Sequence, residues 1–165
     1  MHVSPDTLRL HLDYSAWASR RLLDAAAALP PSELTQDFGT ADKSVLGTLL
    51  HIYGADYAWM ERMEGRSISA RPYDEGAQLD FLQAEWPKLW ARWKSYAAGL
   101  TEQSAEAEIA YLTMKGDPFR SPVWQIVMHV VNHASHHRGQ AAGFVRSLGK
   151  TPPVLDLMYY YRQLS

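Results

Sequence analysis

The chain has 165 residues, 47% of them hydrophobic and 21% charged, with a net charge of −2. That is enough chain for one domain with a sizeable core. The densest basic spot is only the pair Arg20-Arg21, so no nucleic-acid footprint is visible. Cysteine is absent, which excludes disulfides and thiolate-held metals.

The N-terminal MHVSPDTLRLHLDYSAW carries Asp6, Arg9 and Asp13 where a signal peptide needs an unbroken apolar stretch. No segment approaches the roughly 20 apolar residues of a membrane span. A soluble, cytoplasmic protein with no membrane partner is the expectation.

Ser4-Pro5-Asp6 supplies a cap, a first-turn proline and an early acid, and predicts a helix over 4–29 ended by Pro30-Pro31. Residues 32–43 read as a connection. Ser44 caps a second helix that Gly65 stops. A second connection covers 65–76, and a third helix spans 77–99. Pro87 within it predicts a kink or a later start. EIAYLTMKGDPFRS, with its Lys115-Gly116-Asp117-Pro118 turn, predicts a short hairpin or an extended loop. Ser121-Pro122 opens a long helix to about Leu148, and VLDLMYYYRQL a short terminal one. The expected fold is all-α, a four-helix bundle in one domain covering 1–165. The long second and third connections leave room for a crossover. Six Trp and nine Tyr suit thick core layers.

Four of seven histidines lie in HVVNHASHHRGQ, residues 129–140. Residues four apart on a helix stack on one face, so two imidazoles can converge on one ion. The spacing occurs twice, as His129/His133 and His133/His137. His129 and His137 lie roughly 12 Å apart along the axis, too far to share an ion easily. One pair binds, and the third ligand comes from another element. His51, in the apolar LLHIYG, is the best candidate and His11 a weaker one. His2 is expected to be disordered, and His136 points roughly 100° away from His137. No histidine has Glu three positions before it, as di-iron carboxylate bundles require. His-Glu-x-x-His and Gly-x-Ser-x-Gly are also absent. Asp56, Tyr57, Asn132, Arg138 and Gln140 are candidates to contact substrate or orient an imidazole, with surface or interface roles as the alternative. Arg138 points to a different helix face from its neighbour His137, which suits a structural role.

NHASHHRGQ (132–140), LLHIYGADYAWMERMEG (49–65), SPVW (121–124), DLMYY (156–160) and YSAWASRRLLDAAAALP (14–30) together resemble the DinB family of DinB/YfiT-like metalloenzymes. The two histidine segments are the specific part. The resemblance implies a four-helix bundle, commonly a homodimer, with one ligand from the second helix and an HxxxH pair from the last. Carried over, these are His51, His133 and His137, with His129 a near neighbour. Related branches include thiol-dependent S-transferases and a mycothiol-dependent isomerase. The family name refers to damage induction and gives no physical reason for DNA contact.

Three neutral imidazoles leave a divalent ion, zinc or nickel, its full charge and an open position, as in catalytic sites. Such an ion acidifies water or a low-molecular-weight thiol. The expected function is a metal-dependent transferase or hydrolase acting on a small molecule. The alternatives are a non-catalytic metal-binding stress protein, or a helical adaptor whose histidines are core.

Overall fold

Ser4 starts the first helix in an extended conformation, its Oγ accepting the Thr7 amide at 3.2 Å. In the structure, a computed structural model that describes residues 3–164, helix α1 then runs Pro5–Ala27 and buries Leu8, Leu12, Ala18, Leu22 and Ala26. The expectation for His2 lies outside the described residues. The first connection is less plain than its composition suggests, because Pro31–Leu34 forms a one-turn helix, α2, that buries Leu34. Ser44 caps α3 (Val45–Met63) by accepting the Gly47 amide at 3.0 Å. Gly65, at φ 79°, follows its end.

Helix α4 (Leu79–Ala98) continues through Pro87, so the proline does not postpone its start. The carbonyl of Gln83, four residues back, loses its usual donor there. Trp86, Leu89, Trp90 and Trp93 are all buried around this point, and their burial offsets a penalty of about 3 kcal/mol for an interior proline. A one-turn α5 (Glu102–Glu106) follows, held by reciprocal Thr101–Ser104 hydrogen bonds.

Strands β1 (Glu108–Leu112) and β2 (Pro118–Pro122) then pair antiparallel around Gly116, which has φ 90°. The molecule is therefore mostly helical, with the hairpin expected before the last long helix present as a two-stranded sheet. The sheet also moves the start of the last long helix. Ser121 and Pro122 pair with Ile109 and Glu108, so α6 begins at Val123 with no side-chain cap and runs to Ser147. Ser121 Oγ instead lies 3.2 Å from the Tyr111 hydroxyl. The short α7 (Leu157–Tyr161) ends the described chain. No helix among the described residues is long and apolar enough to cross a membrane.

Helix α1 packs on α6 and α4, and α3 packs on the same two. The four long helices thus follow the order α1–α6–α3–α4 around their core, with α1 and α3 on a diagonal. The crossing connections are the first and third. The second, expected to leave room for a crossover, joins the neighbours α3 and α4.

The α1–α6 contact contains a buried polar seam. Arg138, 1% exposed, donates through Nη1 to the Ser15 carbonyl and to the hydroxyls of Ser15 and Ser19 at 3.0–3.2 Å. Nη2 reaches Ser135 Oγ at 2.9 Å, and the guanidinium lies over the Tyr14 ring. Arg138→Met would leave two buried hydroxyls without their charged donor. Urea unfolding is expected to show a loss of about 2–3 kcal/mol, with helical content unchanged.

Candidate metal centre

His51 lies two turns into α3, while His133 and His137 stack one turn apart on α6. The direct packing of α3 on α6 brings the three together. One ring nitrogen from each lies within 4.8 Å of the others. Ring centroids are 4.3 Å apart for His51–His137, 4.5 Å for His133–His137 and 5.0 Å for His51–His133.

Nε2 of His51 and Nε2 of His133 face each other at 3.1 Å. Tetrahedral coordination with bonds of about 2.05 Å places two nitrogens ~3.3 Å apart. That pair matches the spacing, and the third ring nitrogen lies within 4.8 Å of both. The three could hold one small divalent ion when each presents a lone pair rather than N–H.

Asp42 makes that presentation favourable, and it was not among the residues singled out from the sequence. Its Oδ1 lies 3.5 Å from Nδ1 of His51, and its Oδ2 3.5 Å from Nδ1 of His137. Gln140 Oε1 sits 3.2 Å from the same His137 nitrogen. Acceptors at Nδ1 favour the proton there and leave Nε2 free, the outer support commonly found behind metal-bound histidines. His133 lacks such support, since its buried Nδ1 has no partner.

The loop carrying Asp42 reaches this position through a glycine. A Cβ on Gly47 would lie 2.0 Å from the Asp42 carbonyl oxygen. Only glycine in the first turn of α3 allows so close an approach. Lys43 then takes φ 63°, a left-handed conformation unfavourable for a side chain of its type, while Phe38 donates to its carbonyl at 2.7 Å.

Charge is disfavoured on His51 and His133. Burial, then the neighbouring His137 and His51, lower His133 to about 4. His51 is lowered chiefly by burial, with His137 and Arg71 adding and the Asp42 carboxylate opposing. His133 is thus neutral near pH 7 and able to coordinate. The centre is not sealed: the His51 side chain is 40% exposed, against 15% for His137 and 17% for Asp42.

The remaining candidates separate cleanly. His129 is exposed and edge-on to Trp59, one turn from His133 and outside the group of three. His136 is exposed and touches His137 edge-on. His11 bonds the Thr7 carbonyl on α1. Gln140 meets the orienting expectation, whereas Asn132 is exposed and Tyr57 lies beneath Arg92. Asp56 points elsewhere in the core: Trp86 Nε1 donates to its Oδ2 at 3.3 Å, and its Oδ1 has no partner. Burial raises this carboxyl to about 7, against weaker lowering by Trp86 and Arg138.

Long helices enclosing a three-histidine cluster define the class of helical protein. The chain belongs to the DinB family, whose model matches residues 1–163. It is 20% identical over 156 residues to Protein DinB of Bacillus subtilis (strain 168), covering 90% of each chain. Its fold is similar to the crystal structure of a DinB-like protein from Bacillus cereus ATCC 10987, with a TM-score of 0.72 and 18% identity over 93% of this chain and 99% of that one.

Asp42→Asn keeps the side-chain shape and removes the charge behind two imidazoles. It is expected to weaken zinc binding about tenfold in competition with a chelating dye, and Gly47→Ala to weaken it by displacing the same loop. Asp56 gives a separate pH signature. Its folded value lies above the ordinary 3.8, so its contribution to stability is full below that pH and is lost as pH rises toward 7. Asp56→Asn is therefore expected to raise the melting temperature at pH 8 and leave it near wild type at pH 4.

Proposed function

We propose that this protein is a metal-dependent enzyme in which His51, His133 and His137 hold one divalent ion, zinc or nickel, and act on a small-molecule substrate. In this reading the four long helices are a DinB-type four-helix bundle forming one domain. The observation that carries it is the convergence of three imidazoles with Asp42 behind two of them. Imidazole suits either metal. An ion so held would supply Lewis acidity, lowering the pKa of a water or a low-molecular-weight thiol.

The protein's own contribution is position and exclusion. Asp42 and Gln140 fix the His137 ring, and Asp42 also faces His51. The exposed edge of His51 opens on a groove of about 300 Å³, which gives a substrate access from one side. No nucleophilic side chain is required, because the thiol or water would serve as nucleophile. That division of labour supports catalysis over passive binding, since a buffer has no use for a groove at its metal.

Protein purified without a histidine tag is expected to carry near-stoichiometric zinc or nickel by elemental mass spectrometry. Chelation should lower its melting temperature, and re-addition of metal should restore it. The His51→Ala, His133→Ala double variant should lose both responses. Trace metal, together with melting that does not respond to added zinc or nickel, overturns the reading. Turnover is then checked by screening thiols against electrophiles, with activity abolished by the chelator.

A further inference from the structure

The groove beside His51 has its own chemistry. Along α3, His51, Gly54, Ala55, Ala58, Trp59 and Arg62 line it, at spacings of three and four that place them on one helix face. The middle of this stripe is Gly-Ala-Ala, and the absence of bulk there makes the channel. Ile68, Arg71, Pro72 and Tyr73 of the α3–α4 connection and Met114 of the hairpin turn form the opposite wall. That wall lies close, since a Cβ on Gly54 would sit 3.1 Å from the Tyr73 ring.

The channel ends at Arg62, a cation 7% exposed. Its Nε donates to the Leu112 carbonyl at 3.2 Å, and its guanidinium lies 4.4 Å from the Trp59 ring centroid and 5.4 Å from that of Tyr111. The nearby acids are engaged elsewhere: Glu61 and Glu64 pair with Arg66 and Arg92. Among the described residues no carboxylate pairs with Arg62, and no acceptor meets its terminal nitrogens. Those nitrogens are not among the sealed, unpartnered atoms of the core, and Arg62 itself lines the groove. Arg71 adds a second guanidinium, and no Asp or Glu is among the lining residues. A buried, unpaired cation is costly unless an anion meets it.

We infer that the groove binds an elongated organic anion, its acidic group on the terminal nitrogens of Arg62 and its apolar body along Gly54, Ala55, Trp59 and Tyr73. His51 and Arg62 are separated by roughly 16 Å along the axis, less the backward lean of the Arg62 side chain toward Trp59. The ligand is therefore a chain several atoms long, with its far end at His51. This inference rests on the proposed metal centre for the site of reaction, but the anion contact itself needs no metal.

The probes are 6-phenylhexanoate, its neutral amide and 6-phenylhexylamine, titrated calorimetrically into wild-type protein and into the His51→Ala, His133→Ala variant. The carboxylate is expected to bind both proteins, and more tightly than the amide or the amine. Arg62→Met should weaken it at least about tenfold, and Arg62→Lys should weaken it less. Because Arg62 also pins the hairpin, Ala55→Leu serves as a second variant. It fills the channel without altering any charge, and should likewise weaken binding. Equal affinity for carboxylate and amide, or wild-type affinity in a folded Arg62→Met or Ala55→Leu protein, overturns the inference. Loss of metal with anion binding retained defeats only the metal-centre reading.

Discussion

Everything at the histidine cluster depends on the packing of α3 against α6. Neither helix alone presents more than a pair of imidazoles on one face, and α3 contributes only one. Apolar burial along the two helices supplies the attraction, with Leu49 and Ile52 of α3 and Val127, Val130 and Ala134 of α6 all within the core. Three half-buried imidazoles sit at the margin of that contact, where burial and the neighbouring rings disfavour protonation of His51 and His133. The helices thus impose a site crowded with ring nitrogens. A divalent cation relieves that crowding more completely than a single N–H···N hydrogen bond between His51 and His133 does.

The same packing explains what the sequence made legible. Helical periodicity and the caps at Ser4 and Ser44 foretold the long helices closely, because these signals are local. Spacing of four likewise restricted the choice within HVVNHASHHRGQ to one pair at a time, and resemblance to a family selected His133 and His137. Asp42 escaped because it belongs to a loop, where no period marks which face a side chain takes. Its signal was indirect: a glycine at position 47, in the first turn of a capped helix, where propensity alone would favour alanine. The helix order was also hidden. Whether α1 neighbours α3 or lies diagonal to it is decided by the whole core and not by any connection's composition. Ser121-Pro122 misled for a comparable reason, since a cap-plus-proline pair is equally at home at the end of an edge strand.

Polar groups divide the interior into two regimes. Arg138 is buried with serine and carbonyl acceptors on both terminal nitrogens and only its Nε unpartnered, so its charge is spread over hydrogen bonds that fix α1 on α6. Asp56 is buried with half its capacity used, held by two tryptophans, Trp86 at its side chain and Trp93 at its carbonyl. It accepts the cost by retaining its proton more readily than an exposed carboxyl. Neither group is at the cluster, although both flank it in sequence. Sequence proximity to a ligand therefore says little about proximity in space once a helix turns by roughly 100° per residue.

Helix α3 carries this separation of roles furthest. Its consecutive faces hold a histidine for the cluster, a carboxyl in the core and, at its C-terminal end, acids tied to Arg66 and Arg92. Those ties matter for Arg62. With Glu61 drawn by two guanidinium groups to well below its usual range, to about 2, and Glu64 drawn the same way, the acids nearest in sequence are occupied. Arg62 is left to aromatic rings and one carbonyl, which orient a guanidinium but do not neutralise it. An Arg62 engaged by Glu61 would close the channel electrostatically, so the network with Arg66 and Arg92 keeps the far end of the groove positive. The reach from that positive end to the exposed edge of His51 is then set by the pitch of a single helix, which makes the groove a ruler for its ligand.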